Sequence, residues 1–153
     1  MANTYTQIYI QTVFSPKYRG CLIQQGWENE LQKYITGIIQ NKGHKMIAID
    51  GMPDHVHIFM GMKPHQGLSD LVRDIKSDSS RWINQNKFVK GKFAWQEGYG
   101  AFSYSHSQIT NVANYIANQK HHHKKKSFKE EYFELLMKFE IEFKNEYVFD
   151  YFD

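Results

Sequence analysis

The chain has 153 residues, 41% of them apolar and 16% aromatic, which is enough for one sizeable core and too apolar for a disordered polypeptide. No apolar run approaches the roughly 18 residues of a membrane span, and Met1-Ala2-Asn3-Thr4-Tyr5 lacks the basic and apolar regions of a signal peptide; no membrane association and a cytoplasmic protein are expected. The lone Cys21 has no disulfide or zinc-pair partner and reads as a small hydrophobe. The net charge of +3 hides opposed blocks, since residues 81–126 carry 8 Lys/Arg against 1 Asp/Glu while residues 127–153 carry 3 against 8. The basic block also holds Trp82, Phe88, Phe93, Trp95, Tyr99, Phe102 and Tyr104. Cations interleaved with flat rings suit single-stranded nucleic acid, where phosphates are neutralised and bases stack. The same composition also fits a solvated basic face over an aromatic core.

In chain order, β-branched and aromatic residues over 5–14 predict a first strand stopped by Ser15-Pro16. Trp27, Leu31, Tyr34, Ile35, Ile38 and Ile39 recur at helical spacing before Gly43 and predict an amphipathic helix. Two short β-type runs, 44–50 and 55–60, flank the turn-forming Gly51-Met52-Pro53-Asp54. A second long helix is expected over about 67–85, then one or two strands in 93–96 and 99–104. Ser105-x-x-Gln108 and Ser127-x-x-Glu130 resemble capping boxes opening helices over about 106–121 and 128–139. This order predicts an α+β fold of the ferredoxin-like or RRM-like kind: one domain over 1–153, a mostly antiparallel sheet with packed helices, and a short acidic tail (about 140–153) returning to it through Tyr147, Phe149 and Tyr151.

Two constellations could carry chemistry. In His55-Val56-His57 the two imidazoles share a strand face with Phe59, while Val56, Ile58 and Met60 take the other. Two rings on one face can lean onto one divalent cation and leave coordination positions open for substrate. The alternative is two imidazoles on a solvated face of a half-buried strand, since H-x-H arises readily by chance in a chain with eight histidines. On the third helix, Ile109, Val112, Ala113 and Ile116 form the apolar stripe, with Tyr115 and Gln119 one turn apart on its shoulder. A phenol beside an amide oxygen offers a nucleophile and a further metal ligand; the alternative is an amphipathic tyrosine at a helix boundary with its hydroxyl in water. The run His121-His122-His123 reads as basic surface, because adjacent helical positions diverge by about 100°; His65 and His106 read the same way.

Together these segments resemble the single-tyrosine HUH transposases of bacterial insertion sequences and the related REP-associated tyrosine transposases. The resemblance rests on Pro53-Asp54-His55-Val56-His57 and on Tyr115 to Gln119, supported by Phe14-Ser15-Pro16-Lys17-Tyr18-Arg19, the stretch Trp95 to Ser103, and Gln119 to Phe128, and it spans roughly residues 5–150. It implies that His55, His57 and Gln119 hold Mg2+ or Mn2+, with Mn2+ supporting activity at least as well given imidazole ligands. It implies Tyr115 as nucleophile, a 5′-phosphotyrosine intermediate, and single-stranded DNA carrying a small hairpin as substrate. Lys17, Arg19, Lys120, Lys124, Lys125 and Lys126 become expected phosphate contacts. It also implies a homodimer in which Tyr115 and Gln119 complete the partner's site. Three alternatives stay open: a domesticated REP-associated relative, a non-catalytic single-stranded nucleic-acid-binding module, and a hydrolytic metal nuclease with no covalent intermediate.

Overall fold

The computed structural model describes residues 3–144 and 148–151. Four strands, β1 (Tyr9–Phe14), β2 (Lys45–Met52), β3 (His55–Gly61) and β4 (Gly100–Tyr104), form one sheet in the order β2-β3-β1-β4. All its pairings are antiparallel. With α1 (Gln25–Asn41) after β1 and α2 (Leu68–Asn86) after β3, this is the β-α-β-β-α-β arrangement of ferredoxin-like folds, as the element order predicts. α3 (Ile109–Ala117), α4 (Gln119–His122) and α5 (Phe128–Lys138) follow. Among the described residues no helix is long and apolar enough to cross a membrane.

The alternation along β3 decides what each face covers. Val56, Ile58 and Met60 join the main core with Leu31, Ile35 and Ile39 of α1 and Leu71, Ile75 and Ile83 of α2, each triplet spaced to put one helical stripe on the sheet. α1 and α2 also meet through Tyr34 and Trp82, stacked with ring centroids 4.6 Å apart. Ser79 sits buried in the α2 stripe without penalty, because its hydroxyl donates to the Ile75 carbonyl at 2.6 Å and accepts from Trp95 Nε1 at 3.0 Å. On the opposite face, Phe59 packs with Val112 and Ile116 of α3. The His55 and His57 side chains, expected to be open to solvent or a ligand, are fully buried beneath the C-terminal helices.

Two glycines permit close approaches that shape this second face. A Cβ on Gly51 would collide with the His55 carbonyl across the β2–β3 turn, so the strand carrying the histidines pairs tightly there only because position 51 has no side chain. A Cβ on Gly100 would lie 2.5 Å from the Tyr132 hydroxyl, so α5 lies close to β4 only because that position is bare. Ser127 caps α5, its hydroxyl accepting from the Glu130 amide at 3.2 Å, as its spacing predicts.

Several boundaries differ from expectation. β1 starts at Tyr9 rather than residue 5, because Tyr9 already pairs with the last residues of both neighbours, Gly61 and Tyr104, and nothing remains for residues 5–7 to pair with. Residues 93–96 form no strand beyond a single bridge from Trp95 to Pro16; the backbone of Phe93 is instead held at both N–H and C=O by the Asn84 side chain (2.7 and 3.1 Å). The helix expected over 106–121 is a 3-10 turn at His106–Gln108, then α3, then a break at Asn118 before the single turn of α4. Beyond α5, Phe149 is buried against Tyr132 (5.0 Å), and the Asp150 backbone makes two hydrogen bonds to the Gln96 amide (2.8 and 2.9 Å). Tyr147 lies outside the described residues.

Candidate active site

The second face of the sheet converges on one carboxylate, that of Glu131 on α5. Its Oε1 lies 3.0 Å from His57 Nε2, 3.4 Å from His55 Nε2 and 3.1 Å from His123 Nε2. Its Oε2 accepts from Gln119 Nε2 at 3.3 Å and from the Tyr115 hydroxyl. Gln119 Oε1 in turn is 3.2 Å from His55 Nε2 and 3.0 Å from His123 Nε2. Thus the structure brings together His55, His57, Tyr115 and Gln119, four residues singled out in the sequence, within one chain. Tyr115 and Gln119 reach the histidine pair of their own chain, whereas the resemblance implies a site completed by a partner.

Neighbours outside this cluster orient it. His55 Nδ1 donates to Asp54 Oδ1 at 2.7 Å, which aims Nε2 inward, and Phe128 stacks on the other side of the ring. Gln11 Nε2 donates to His57 Nδ1 at 2.8 Å, while the Gln11 Oε1 accepts from Tyr104 at 2.8 Å. With Nδ1 accepting, His57 carries its proton on Nε2 and gives it to Glu131.

The electrostatics follow from burial opposed by these contacts. Burial works against a charge on His55, but the carboxylates of Asp54 and Glu131 outweigh it and push the pKa up to about 9. Both ring nitrogens then face oxygen acceptors, so an imidazolium satisfies them all. For His57 burial wins over Glu131, and its pKa is lowered. Burial would raise the Glu131 pKa, but His123, His55 and His57 together hold the carboxyl well below the usual range, so it is ionised. Tyr115 is raised, by burial first and then by the Glu131 charge, so its hydroxyl is a phenol at neutral pH.

These groups suit a metal ion. His55, His57 and Glu131 each offer a ligand atom, all within 4.8 Å of one another. Two imidazoles with a carboxylate make a donor set for a divalent cation of the manganese, iron or zinc type. The centre also opens to a cleft of about 670 Å³ between α3 and α5, lined by Tyr104, Asn111, Tyr115, Lys125, Lys126 and Glu131 among others.

Residues 4–119 match the family described as "Transposase IS200 like". The chain belongs to this IS200-like transposase family. Membership supports transposase activity, an enzymatic role in DNA processing and a link to insertion-sequence transposition. The ISDra2 transposase TnpA of Deinococcus radiodurans is 24% identical over 118 residues, which cover 74% of this chain and 84% of that protein. Two solved structures share the fold. A Deinococcus radiodurans R1 protein described as a transposase aligns with TM-score 0.58 and 22% identity over 78% of this chain and 95% of that one. A REP-associated tyrosine transposase bound to a REP hairpin aligns with TM-score 0.56 and 13% identity, over 77% and 70%. The resemblance read from the motifs and the α+β fold class are therefore both borne out. Compared with the IS200-like match, which ends at Gln119, the centre described above extends further along the chain, to His123 and Glu131.

The basic residues expected to contact phosphates are scattered by the fold. Lys125 and Lys126 line the cleft, and Lys126 also pairs with Glu134. Lys124 is exposed. Lys120 is held by Glu28 at 2.7 Å and Asp50 at 3.5 Å. Lys17 and Arg19 follow β1, and among the described residues neither lines the cleft.

Sequence reasoning missed Glu131, Gln11 and His123. His123 belongs to the site and not to the basic surface, because α4 ends at His122 and the chain turns, letting His123 Nδ1 donate to the Lys126 carbonyl at 2.7 Å while Nε2 points inward. The 100° argument holds only within a continuing helix. Glu131 did leave a signal: with Phe128, Tyr132 and Leu135 it occupies the i, i+3, i+4, i+7 stripe of α5, a place where an acid is buried only with partners.

Proposed function

We propose that the protein cleaves and rejoins single-stranded DNA at hairpin-bearing ends through a 5′-phosphotyrosine intermediate, with Tyr115 as the nucleophile. The observation that carries this reading is that the Tyr115 hydroxyl and the buried His55–His57 pair meet on the two oxygens of one carboxylate, that of Glu131, which together with Tyr115 lines an open cleft. Such an arrangement sets a nucleophile beside a site for phosphate activation, which neither a binding module nor a simple hydrolase needs.

In this reaction the Tyr115 oxygen attacks the scissile phosphorus and loses its proton. The bond from phosphorus to the 3′-oxygen breaks, that oxygen takes up a proton, and the 5′-phosphate is left esterified to Tyr115. Attack by a 3′-hydroxyl on the ester reverses the chemistry and reseals a strand, so no nucleotide cofactor is consumed. A bound Mn2+ or Mg2+ supplies polarisation of the phosphoryl oxygens. His55, His57 and Gln119, with Glu131 in reach of all three, would hold it. Because burial and the Glu131 charge raise the Tyr115 pKa, the phenol keeps its proton until it attacks. Lys125 and Lys126 at the cleft, with Lys124 beside them, supply positive charge for the strand's phosphates, Lys17 and Arg19 extend that field over the rest of the surface, and Lys120 adds to it only by leaving its partners Glu28 and Asp50.

The test is a pair of assays on single-stranded oligonucleotides copied from both flanks of the gene. Wild-type protein cleaves in Mn2+ or Mg2+ and not in EDTA, whereas Tyr115→Phe binds with unchanged affinity and does not cleave. Cleavage by Tyr115→Phe contradicts the assignment. Retained binding with no cleavage by wild type in any flank favours a binding module.

A further inference from the structure

We propose that Glu131 is itself a ligand of the metal ion, alongside His55 and His57, and that its second oxygen holds the Tyr115 hydroxyl, so one side chain of α5 sets the position of the nucleophile relative to the ion. The inference rests on the metal-dependent reading above. It adds a ligand and positioning residue from outside the family-matched segment, residues 4–119.

Geometry separates the two carboxylate oxygens by role. Oε1 sits among imidazole nitrogens, 3.0 Å from His57 and 3.4 Å from His55, while Oε2 takes Tyr115 and the Gln119 amide. A carboxylate bridging in this way ties the nucleophile to the donor set through two covalent bonds. Gln119 alone would offer a neutral amide oxygen as third donor. Glu131 offers an anionic one, which hard divalent cations favour and which completes a two-histidine, one-carboxylate face with further positions open for phosphate oxygens.

Burial makes the same point from the other direction. Glu131 is 3% exposed, and among the described residues its ion-pair partners are all histidines rather than Lys or Arg. A buried carboxylate needs a compensating positive charge, which protonated His55 supplies and which a divalent cation held by the same three side chains would supply in its place. The helix that carries Glu131 is fixed in place: Ser127 caps it, Phe128 lies on His55, Tyr132 closes on Gly100, and Leu135 and Leu136 enter the main core. The donor is thereby preorganised rather than recruited.

The experiment titrates full-length wild type, Glu131→Gln, Glu131→Ala, Gln119→Ala and Tyr115→Phe with Mn2+, reading free Mn2+ by electron paramagnetic resonance, with circular dichroism checking that each variant is folded. Both Glu131 variants should weaken Mn2+ binding at least tenfold, Gln119→Ala should weaken it less, and Tyr115→Phe should leave it within twofold. A Mn2+-soaked crystal should place the anomalous peak within bonding distance of Glu131 Oε1. At saturating Mn2+, Glu131→Gln should slow single-turnover cleavage more than tenfold while DNA affinity is unchanged, because the nucleophile is no longer held by a charged acceptor. Mn2+ binding by a folded Glu131→Ala within twofold of wild type overturns the ligand role, as does a wild-type protein that retains no Mn2+ at millimolar concentration. Mn2+ binding that depends on Glu131, in a protein that cleaves no flank, leaves the ligand role standing and removes the phosphotyrosine reading.

Discussion

The ring of Phe128 lies flat on the imidazole of His55, with centroids 4.0 Å apart and planes 4° from parallel. Phe128 in turn packs against Phe149 and Tyr151 of the C-terminal segment, at 6.0 and 5.6 Å. A wall of aromatic side chains therefore supports His55, one of the proposed metal ligands, from behind. Phe128→Ala should destabilise the protein by about 3 kcal/mol, the usual range for a buried Phe truncation, measured by urea denaturation. The same variant should bind Mn2+ several-fold more weakly while still folded at 10 °C. Phe128→Leu should lose less of both, and an unchanged Mn2+ affinity in Phe128→Ala would show that His55 needs no backing.

Much of this was legible in the sequence, and what was not has a physical cause. Alternation along His55 to Met60 was enough to put both imidazoles on one face, because strand period leaves no choice. Helical spacing likewise joined Tyr115 to Gln119, even though the helix breaks at Asn118, since the break tightens the turn without reversing it. Gln11 was invisible because nothing in the run Tyr9 to Phe14 distinguishes a surface glutamine from one laid against a buried imidazole. Its role depends on β1 pairing between β3 and β4, a long-range fact. Glu131 was hidden by its neighbours: counted with the acidic tail, it looked like one solvated charge of eight in residues 127–153.

Protonation of His55 makes the metal-free protein less stable as pH rises. Its folded pKa of about 9 lies above the unfolded 6.5, so its contribution is complete below pH 6.5 and is lost as pH climbs through 9. Between pH 6.5 and 8 the loss amounts to about 2 kcal/mol. Above pH 8, Lys76, lowered to about 8 by burial, acts in the opposite sense and flattens the curve. His57, whose folded pKa is lowered, contributes stability that is lost only as pH falls below 6.5, outside this window. Urea melts in EDTA at pH 6.5 and 8 should show the decline in wild type and not in His55→Gln. Saturating Mn2+ should reverse it, because metal binding requires the imidazole to release that proton. A wild-type slope equal to that of His55→Gln contradicts this account of the site.

Gln11 decides which nitrogen of His57 is free. Donating through Nε2, as seen here, it leaves the His57 proton on Nε2; turned over, its Oε1 accepts from Nδ1–H and releases Nε2 as a ligand. Gln11→Glu can only accept, so it should tighten Mn2+ binding, whereas Gln11→Leu should weaken it about tenfold or more. Equal affinities in calorimetric titrations of all three proteins would show that the amide does not set the tautomer.

Because the four groups meet within one subunit, mixing inactive variants should restore nothing. Tyr115→Phe and His57→Ala proteins, combined under conditions where labelled subunits are seen to exchange, should remain unable to cleave. Recovery of up to a quarter to a half of wild-type activity would mean that α3 is exchanged between subunits, as the family resemblance implies.

The most direct test of the central claim is to identify the protein–DNA bond. Wild-type protein is incubated with a flank-derived single strand in Mn2+, the DNA is digested with nuclease, and the tryptic peptides are read by mass spectrometry. The account predicts a nucleotide 5′-phosphate esterified to Tyr115, absent in EDTA and absent in Tyr115→Phe. Cleaved strands bearing free 5′-phosphates, with no peptide modified or with the adduct on another residue, would contradict it.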